Sequence, residues 1–138
     1  MLVIVAARAD AGAQDVAARW KAHDAELLTC EDLTSPGWRY HAGRPGTSTA
    51  VIGGRTVPES AIEGVLTRRP WVFERELARV AEADREFCAA EINAFLLAWL
   101  SSLRRPVLNA PTPMCLAGPA WRPLQWRRLA AQLNIPVD

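Results

Sequence analysis

The sequence contains none of the short patterns by which many enzymes declare their chemistry. It has no GxGxxG or GxxxxGK(S/T) to cradle phosphates, no GxSxG nucleophile turn and no HExxH metal helix. CxxC pairs are absent too, and His23 and His41 stand far apart and away from any cysteine pair. A zinc site needs three or four converging ligands, so both histidines read as surface residues. Lysine is nearly missing: Lys21 is the single one in the chain.

Charge of either sign is not in excess. Lys and Arg total 16 against 15 Asp and Glu, a formal net charge of +1, which argues against a basic nucleic-acid face. No apolar run approaches the ~20 residues of a membrane span. The apolar start, Met1 to Val5, has no basic segment before it and reads as a first strand rather than a signal peptide. Cys30, Cys88 and Cys115 are odd in number and widely spaced. That points to a reduced, cytoplasmic setting in which all three are small packing residues.

What is present is a well-patterned core. The 138 residues are 50% hydrophobic, enough for one domain spanning 1–138. Residues 2–7 are uniformly apolar and branched, as in a strand covered on both faces. A helix over 14–23 and a strand over 25–33 complete a βαβ unit, so the first two strands should be parallel. Residues 34–46 read as loop. Two β-rich runs flank Gly53-Gly54, which suits a tight hairpin because both turn positions accept positive φ. Residues 60–65 suggest one helical turn and 65–67 a short strand. From 74 to 103 the pattern is helical, with Cys88, Ile92, Phe95, Leu96, Trp99 and Leu103 on one stripe and Asp84 placed to cap or restart it. Residues 106–109 read as a strand. Pro123 opens a last helix, and Asn134 closes it in the left-handed conformation. The sum is a three-layer α/β sandwich with a mainly parallel central sheet and a β-hairpin.

Candidate binding residues lie where strands end, since ligands of open α/β sheets collect there. Arg68-Arg69 follows a strand and could hold a carboxylate or phosphate through forked hydrogen bonds. The commoner arrangement has one arginine paired with a helix carboxylate and the other solvated. Gly12, just before a helix, could admit an anion, although one glycine is weak evidence and an ordinary strand-to-helix turn is the commoner explanation. Glu91 sits four residues from both Phe87 and Phe95, on or beside the apolar stripe. It should therefore find an arginine partner, Arg68 or Arg69 being favoured, unless its side chain escapes to water. Trp20 and Trp99 fall on helical stripes and read as core. Trp38, Trp71 and Trp121 stand beside arginines in loops, where local packing is the simpler role.

A series of short motifs adds a resemblance. A strand ends in Arg68-Arg69-Pro70, Asp84-Arg85-Glu86-Phe87 and Glu91 open a Leu-rich helix, and Pro106-Val107-Leu108-Asn109-Ala110-Pro111 follows. A helix with Gln125 and Ala130 then leads to Asn134-Ile135-Pro136-Val137. From Val65 onward this resembles the N-terminal, pre-ATP-grasp domain of ATP-grasp ligases, most closely the RimK-like and graspetide-type peptide ligases. The match departs from the family's pattern in two places: Arg122-Pro123-Leu124-Gln125-Trp126 stands where a lysine is usual, and Asn134 stands where glycine is usual.

The resemblance implies a Rossmann-like fold and a role in joining a carboxylate to an amine. The sequence ends at Asp138, where the ATP-grasp lobes of such a ligase would begin. ATP and Mg would then bind only through those lobes, and this chain would hold no cofactor or metal and no catalytic residue. Arg8, Arg68, Arg69 and Asn109 become candidates for a substrate cleft, for a peptide or small carboxylate. Trp121 and Trp126 become candidates for an interface with the catalytic lobes or with a second copy. The alternative is a stand-alone interaction module that keeps the fold without the activity.

Overall fold

In the computed structural model, which describes residues 1–44 and 46–136, the chain forms six strands and four helices. They run β1 (Leu2–Val5), α1 (Ala11–Arg19), β2 (Ala25–Leu28), α2 (Cys30–Leu33), β3 (Thr49–Ile52), β4 (Arg55–Pro58), β5 (Gly64–Thr67), α3 (Arg85–Ser102), β6 (Val107–Leu108) and α4 (Pro123–Gln132). Val137 and Asp138 lie outside the described residues.

The main sheet is wholly parallel in the order β2-β1-β5-β6. β1 is central, with Val3 opposite both Glu26 and Val65. This is why its residues are apolar without alternation. Val3 and Val5 enter the core beneath α3, and Ile4 and Ala6 enter the core beneath α1. Val3, Ile4 and Val5 each contribute about 1.5–3 kcal/mol by this burial. β3 and β4 pair antiparallel through Gly53 and Gly54, whose φ values of 57° and 73° fit the expected turn. The hairpin is a sheet of its own and packs Ala50, Ile52 and Val57 into the α3-side core. Helix α1, sheet, and α3 with the hairpin make the three layers.

Several boundaries differ from the sequence pattern. The strand expected over 25–33 stops at Leu28, because Asp32 accepts from both the backbone N and the hydroxyl of Thr29 and folds the chain into α2. The long helix begins at Arg85 rather than near 74, and residues 74–76 and 82–84 are 3-10 turns. Asp84 stands at the N-cap position but makes no side-chain cap bond. The turn expected over 60–65 is a 3-10 turn at Glu59–Ala61, and Gly64 already belongs to β5.

Trp99 is fully buried and Trp20 packs against the α1-side core. Trp38, from the loop, packs edge-on against Phe95 at 5.1 Å and Trp99 at 5.4 Å, and its indole N–H donates to the Asp32 carbonyl. Cys30 and Cys115 are buried and Cys88 half-buried, all with free thiols. Asn134 takes the left-handed conformation, φ 54°. Among the described residues no helix is long and apolar enough to cross a membrane.

Candidate functional site

Because the four strands of the main sheet are parallel, their carboxyl ends face one side, and the chain segments leaving β1 and β5 form a cleft there. It measures 370 Å³ and is walled by Asp10, Arg68, Arg69, Trp71, Phe73, Arg75 and Glu76 among others. Three arginines against two carboxylates leave it with a formal surplus of one positive charge.

Arg68 leaves β5 with its backbone N–H bonded to the Val5 carbonyl. Its side chain forks on Asp10, Nε to Oδ2 at 3.0 Å and Nη2 to Oδ1 at 3.1 Å. Asp10 is also the N-cap of α1, accepting from Ala13 N at 3.0 Å. The Arg68 hydrogen bonds hold the Asp10 carboxyl below its ordinary pKa, and Asp10 in turn raises that of Arg68. The guanidinium lies so close over Gly12 that a Cβ there would meet Nη2 at 2.6 Å. The start of α1 is thus occupied by its own cap and by Arg68, and Gly12 serves close approach rather than an anion.

Arg69 turns the other way and is 3% exposed. Its Nη2 bonds Glu76 Oε2 at 2.5 Å, and its Nε bonds the Trp71 carbonyl at 3.2 Å. The same Glu76 oxygen accepts from Phe73 N at 3.0 Å. Asn93 of α3 fastens the middle of this loop, accepting from Val72 N and donating to Val72 O at 2.9 and 3.0 Å. Nη1 of Arg69 is buried with no hydrogen-bond partner among the described residues. Beside this cluster, burial pushes the Cys30 thiol up to about 11 although Arg69 pulls it down.

These pairings correct the expected Glu91 ion pair. Glu91 is exposed and makes no ion pair among the described residues, while Arg68 and Arg69 are taken by Asp10 and Glu76. The helix buries Ala89, Leu96, Trp99 and Leu100, and Glu91 points off that face. The turn at residues 74–76, read from the sequence as part of the helix, instead brings Glu76 back to the end of β5.

The other two cleft candidates lie elsewhere. Arg8 pairs with Glu31 at 2.9 Å and lines a separate, wider cavity of 610 Å³ by the end of β2. Asn109, left-handed at φ 55°, donates from its side chain to the Thr67 carbonyl at 2.9 Å. The buried Thr67 hydroxyl answers with bonds to the Leu108 and Asn109 carbonyls. Asn109 therefore ties β6 to β5 instead of lining the cleft.

Arg75 was not singled out from the sequence. It lies 4.7 Å over the Phe73 ring and has no ion pair among the described residues. The clue available was an arginine two places after an aromatic residue, a few residues beyond a strand end. With Arg75 unpaired and N–H groups of Arg68 left over from its fork, the cleft can accept carboxylate or phosphate oxygens between the aromatic walls of Trp71 and Phe73. No group of three or more metal-capable side chains occurs among the described residues. Trp121 and Trp126 lie apart from the cleft, exposed, with ring centroids 4.8 Å apart at the start of α4.

No family model and no curated protein matches the chain. Solved structures do. The macrocyclase MdnC bound with precursor peptide MdnA, from Microcystis aeruginosa MRC, superposes with a TM-score of 0.55 at 17% identity, over 78% of this chain and 36% of that one. A RiPP-associated ATP-grasp ligase of Chryseobacterium gregarium, in complex with ADP and a leader and core peptide, gives 0.51 at 17% identity, over 96% and 38%. The α/β fold is thus shared with part of these two proteins, one of them an ATP-grasp ligase, in keeping with the resemblance of the sequence motifs, and the chain spans little more than a third of the length of each.

Proposed function

We propose that this chain is a substrate-positioning domain of an ATP-grasp-type carboxylate–amine ligase, and that the cleft at the ends of β1 and β5 receives an acidic segment of a peptide. Phosphoryl transfer, ATP and Mg belong in this reading to catalytic lobes outside the chain. The observation that carries it is Arg75, an unpaired cation stacked on Phe73 at the mouth of an arginine-rich, aromatic-walled cleft. The two solved structures of similar fold, each with a peptide bound, support a peptide rather than a free metabolite as the ligand.

Titrating an acidic peptide into the isotope-labelled chain tests this. Amide shifts should cluster between Arg68 and Glu76, weaken as salt rises, and vanish in Arg75→Gln. Shifts scattered over other surfaces, or unchanged in Arg75→Gln, would discard the cleft. A second reading, a stand-alone interaction module, draws on a different observation: α4 buries none of its residues in its own domain.

A further inference from the structure

Trp71 is held by its backbone and not by its side chain. The Pro70 carbonyl accepts from Leu116 N at 2.9 Å, and the Trp71 carbonyl accepts from Arg69 Nε at 3.2 Å. Val72 exchanges two hydrogen bonds with the Asn93 side chain at 2.9 and 3.0 Å. Three consecutive residues are thus pinned. The Trp71 indole is 36% exposed and makes no hydrogen bond and no ring contact among the described residues. Trp71 also borders two spaces. It walls the charged cleft with Arg68, Phe73 and Arg75, and it walls a separate groove of 300 Å³ along α3. Ala90, Ala94 and Leu97 form one side of that groove, and Pro113 and Leu116 the other. The three helix positions step by four and three, so they share one face. They span about 10 Å, the length of about three extended residues.

We propose that Trp71 joins the two spaces into one peptide site. An acidic side chain enters the cleft, the backbone of the segment crosses the indole, and an apolar side chain of the same segment fills the groove. The joined site rests on the cleft being a peptide site and adds a sequence requirement to it: an apolar residue within about three positions of the acid.

The occupant follows from continuity and from the groove's chemistry. A chain that leaves the cleft past Trp71 arrives on the groove, because the same residue walls both. No charged side chain lines the groove among the described residues. Its polar groups are already committed: the Asn93 amide to Val72 and to the Ala89 carbonyl, and the Thr112 hydroxyl to the Cys115 carbonyl. A polar side chain entering there would lose water without gaining a partner, so the groove selects an apolar one. The unused indole N–H can donate to a carbonyl of the crossing backbone. The far wall is fixed as well, since Thr112 and Cys115 exchange backbone bonds at 2.8 and 3.1 Å. With the Trp71 backbone and both walls set in advance, most of the ordering on binding falls on the peptide.

Calorimetry of the full chain with two capped peptides of equal charge tests it. Each carries a single glutamate; one has leucines two residues away on both sides, the other serines there. The leucine peptide should bind about tenfold tighter. In the isotope-labelled chain it alone should shift amides over residues 90–97 and 112–116, in addition to those of the cleft. Ala94→Gln, at an exposed helix position, should erase the difference between the peptides, and Ala90→Gln, also exposed, is a second such variant; circular dichroism checks that both are folded. Equal affinities with shifts confined to the cleft overturn the joined site and leave the cleft reading standing. A preference for leucine that survives both variants also overturns it. Two peptides that shift neither region remove the cleft reading and the joined site together.

Discussion

Arg68 reaches from the end of β5 to the cap of α1 and closes a fork on Asp10 at 3.0 and 3.1 Å. One carboxylate thereby holds a helix start and a cleft arginine together. Its pKa is depressed, first by the Arg68 hydrogen bonds. The stability it contributes is present above the unfolded value, about 3.9, and is lost as pH falls through the lower folded value. Asp10→Asn should therefore flatten the acid limb of a stability–pH curve below about pH 4. Asp10→Ala should cost about 1–2 kcal/mol at neutral pH, as a lost cap with a partly exposed ion pair. Denaturant titrations across pH measure both.

Gly12 sits under that fork. In an ordinary helix, Gly→Ala stabilises by about 1 kcal/mol. Here the new Cβ would meet Arg68 Nη2 at 2.6 Å and must displace it. The two effects should nearly cancel, leaving Gly12→Ala within about 0.5 kcal/mol of wild type. In an Arg68→Ala background the same change should stabilise by about 0.5–1 kcal/mol. Equal effects in both backgrounds would show that Arg68 does not lie over Gly12 in solution.

Glu76 and Glu91 should separate sharply. Glu76 holds the buried Arg69 and the Phe73 amide. Glu76→Ala strands an arginine that is 3% exposed and should cost about 3–5 kcal/mol. Glu91→Ala, at an exposed and unpaired position, should stay within about 0.5 kcal/mol of wild type. A reversal of this order in urea melts would restore the pairing that helical periodicity alone suggested.

Cys30 titrates in the opposite sense from Asp10. Burial raises its folded value to about 11, above the roughly 8.5 of an unfolded thiol. Its contribution is complete below the unfolded value and is lost as pH climbs toward the folded one. Stability should fall across that interval, and Cys30→Ala should remove part of the fall. A thiol reagent at neutral pH should modify half-buried Cys88 well before Cys30.

The parts of the fold readable in sequence were those with a local cause. The unbroken apolar run of β1, the Gly53-Gly54 turn, Pro123 at a helix start and Asn134 at its end each specify their own backbone. Arg68 and Arg69 stood out because they follow a strand. Their partners were not readable. Asp10 is 58 residues from Arg68 and is brought there by parallel pairing of β1 with β5. Glu76 became a partner only because the helix begins at Arg85, leaving residues 74–76 free to turn back. Helical periodicity extended too far and so favoured Glu91. Asn109 pointed to a strand end correctly, but whether such a residue meets a ligand or ties two strands depends on tertiary placement.

The cleft should discriminate against Mg-ATP. Holding a nucleotide triphosphate calls for lysines on the phosphates, carboxylates on the metal and a glycine-rich cover. Lys21, the single lysine, lies in the 3-10 turn before β2, at the opposite end of the sheet from the cleft. Of the cleft carboxylates, Asp10 is committed to Arg68 and to the cap of α1, and Glu76 to Arg69 and the Phe73 amide. That leaves Arg75 and the spare N–H groups of Arg68, which suit one carboxylate between aromatic walls. Calorimetry with Mg-ATP up to about 1 mM should therefore show no binding heat, while an acidic peptide binds and releases as salt rises. Stoichiometric Mg-ATP binding that disappears in Arg75→Gln would place a nucleotide in the cleft and end the peptide reading.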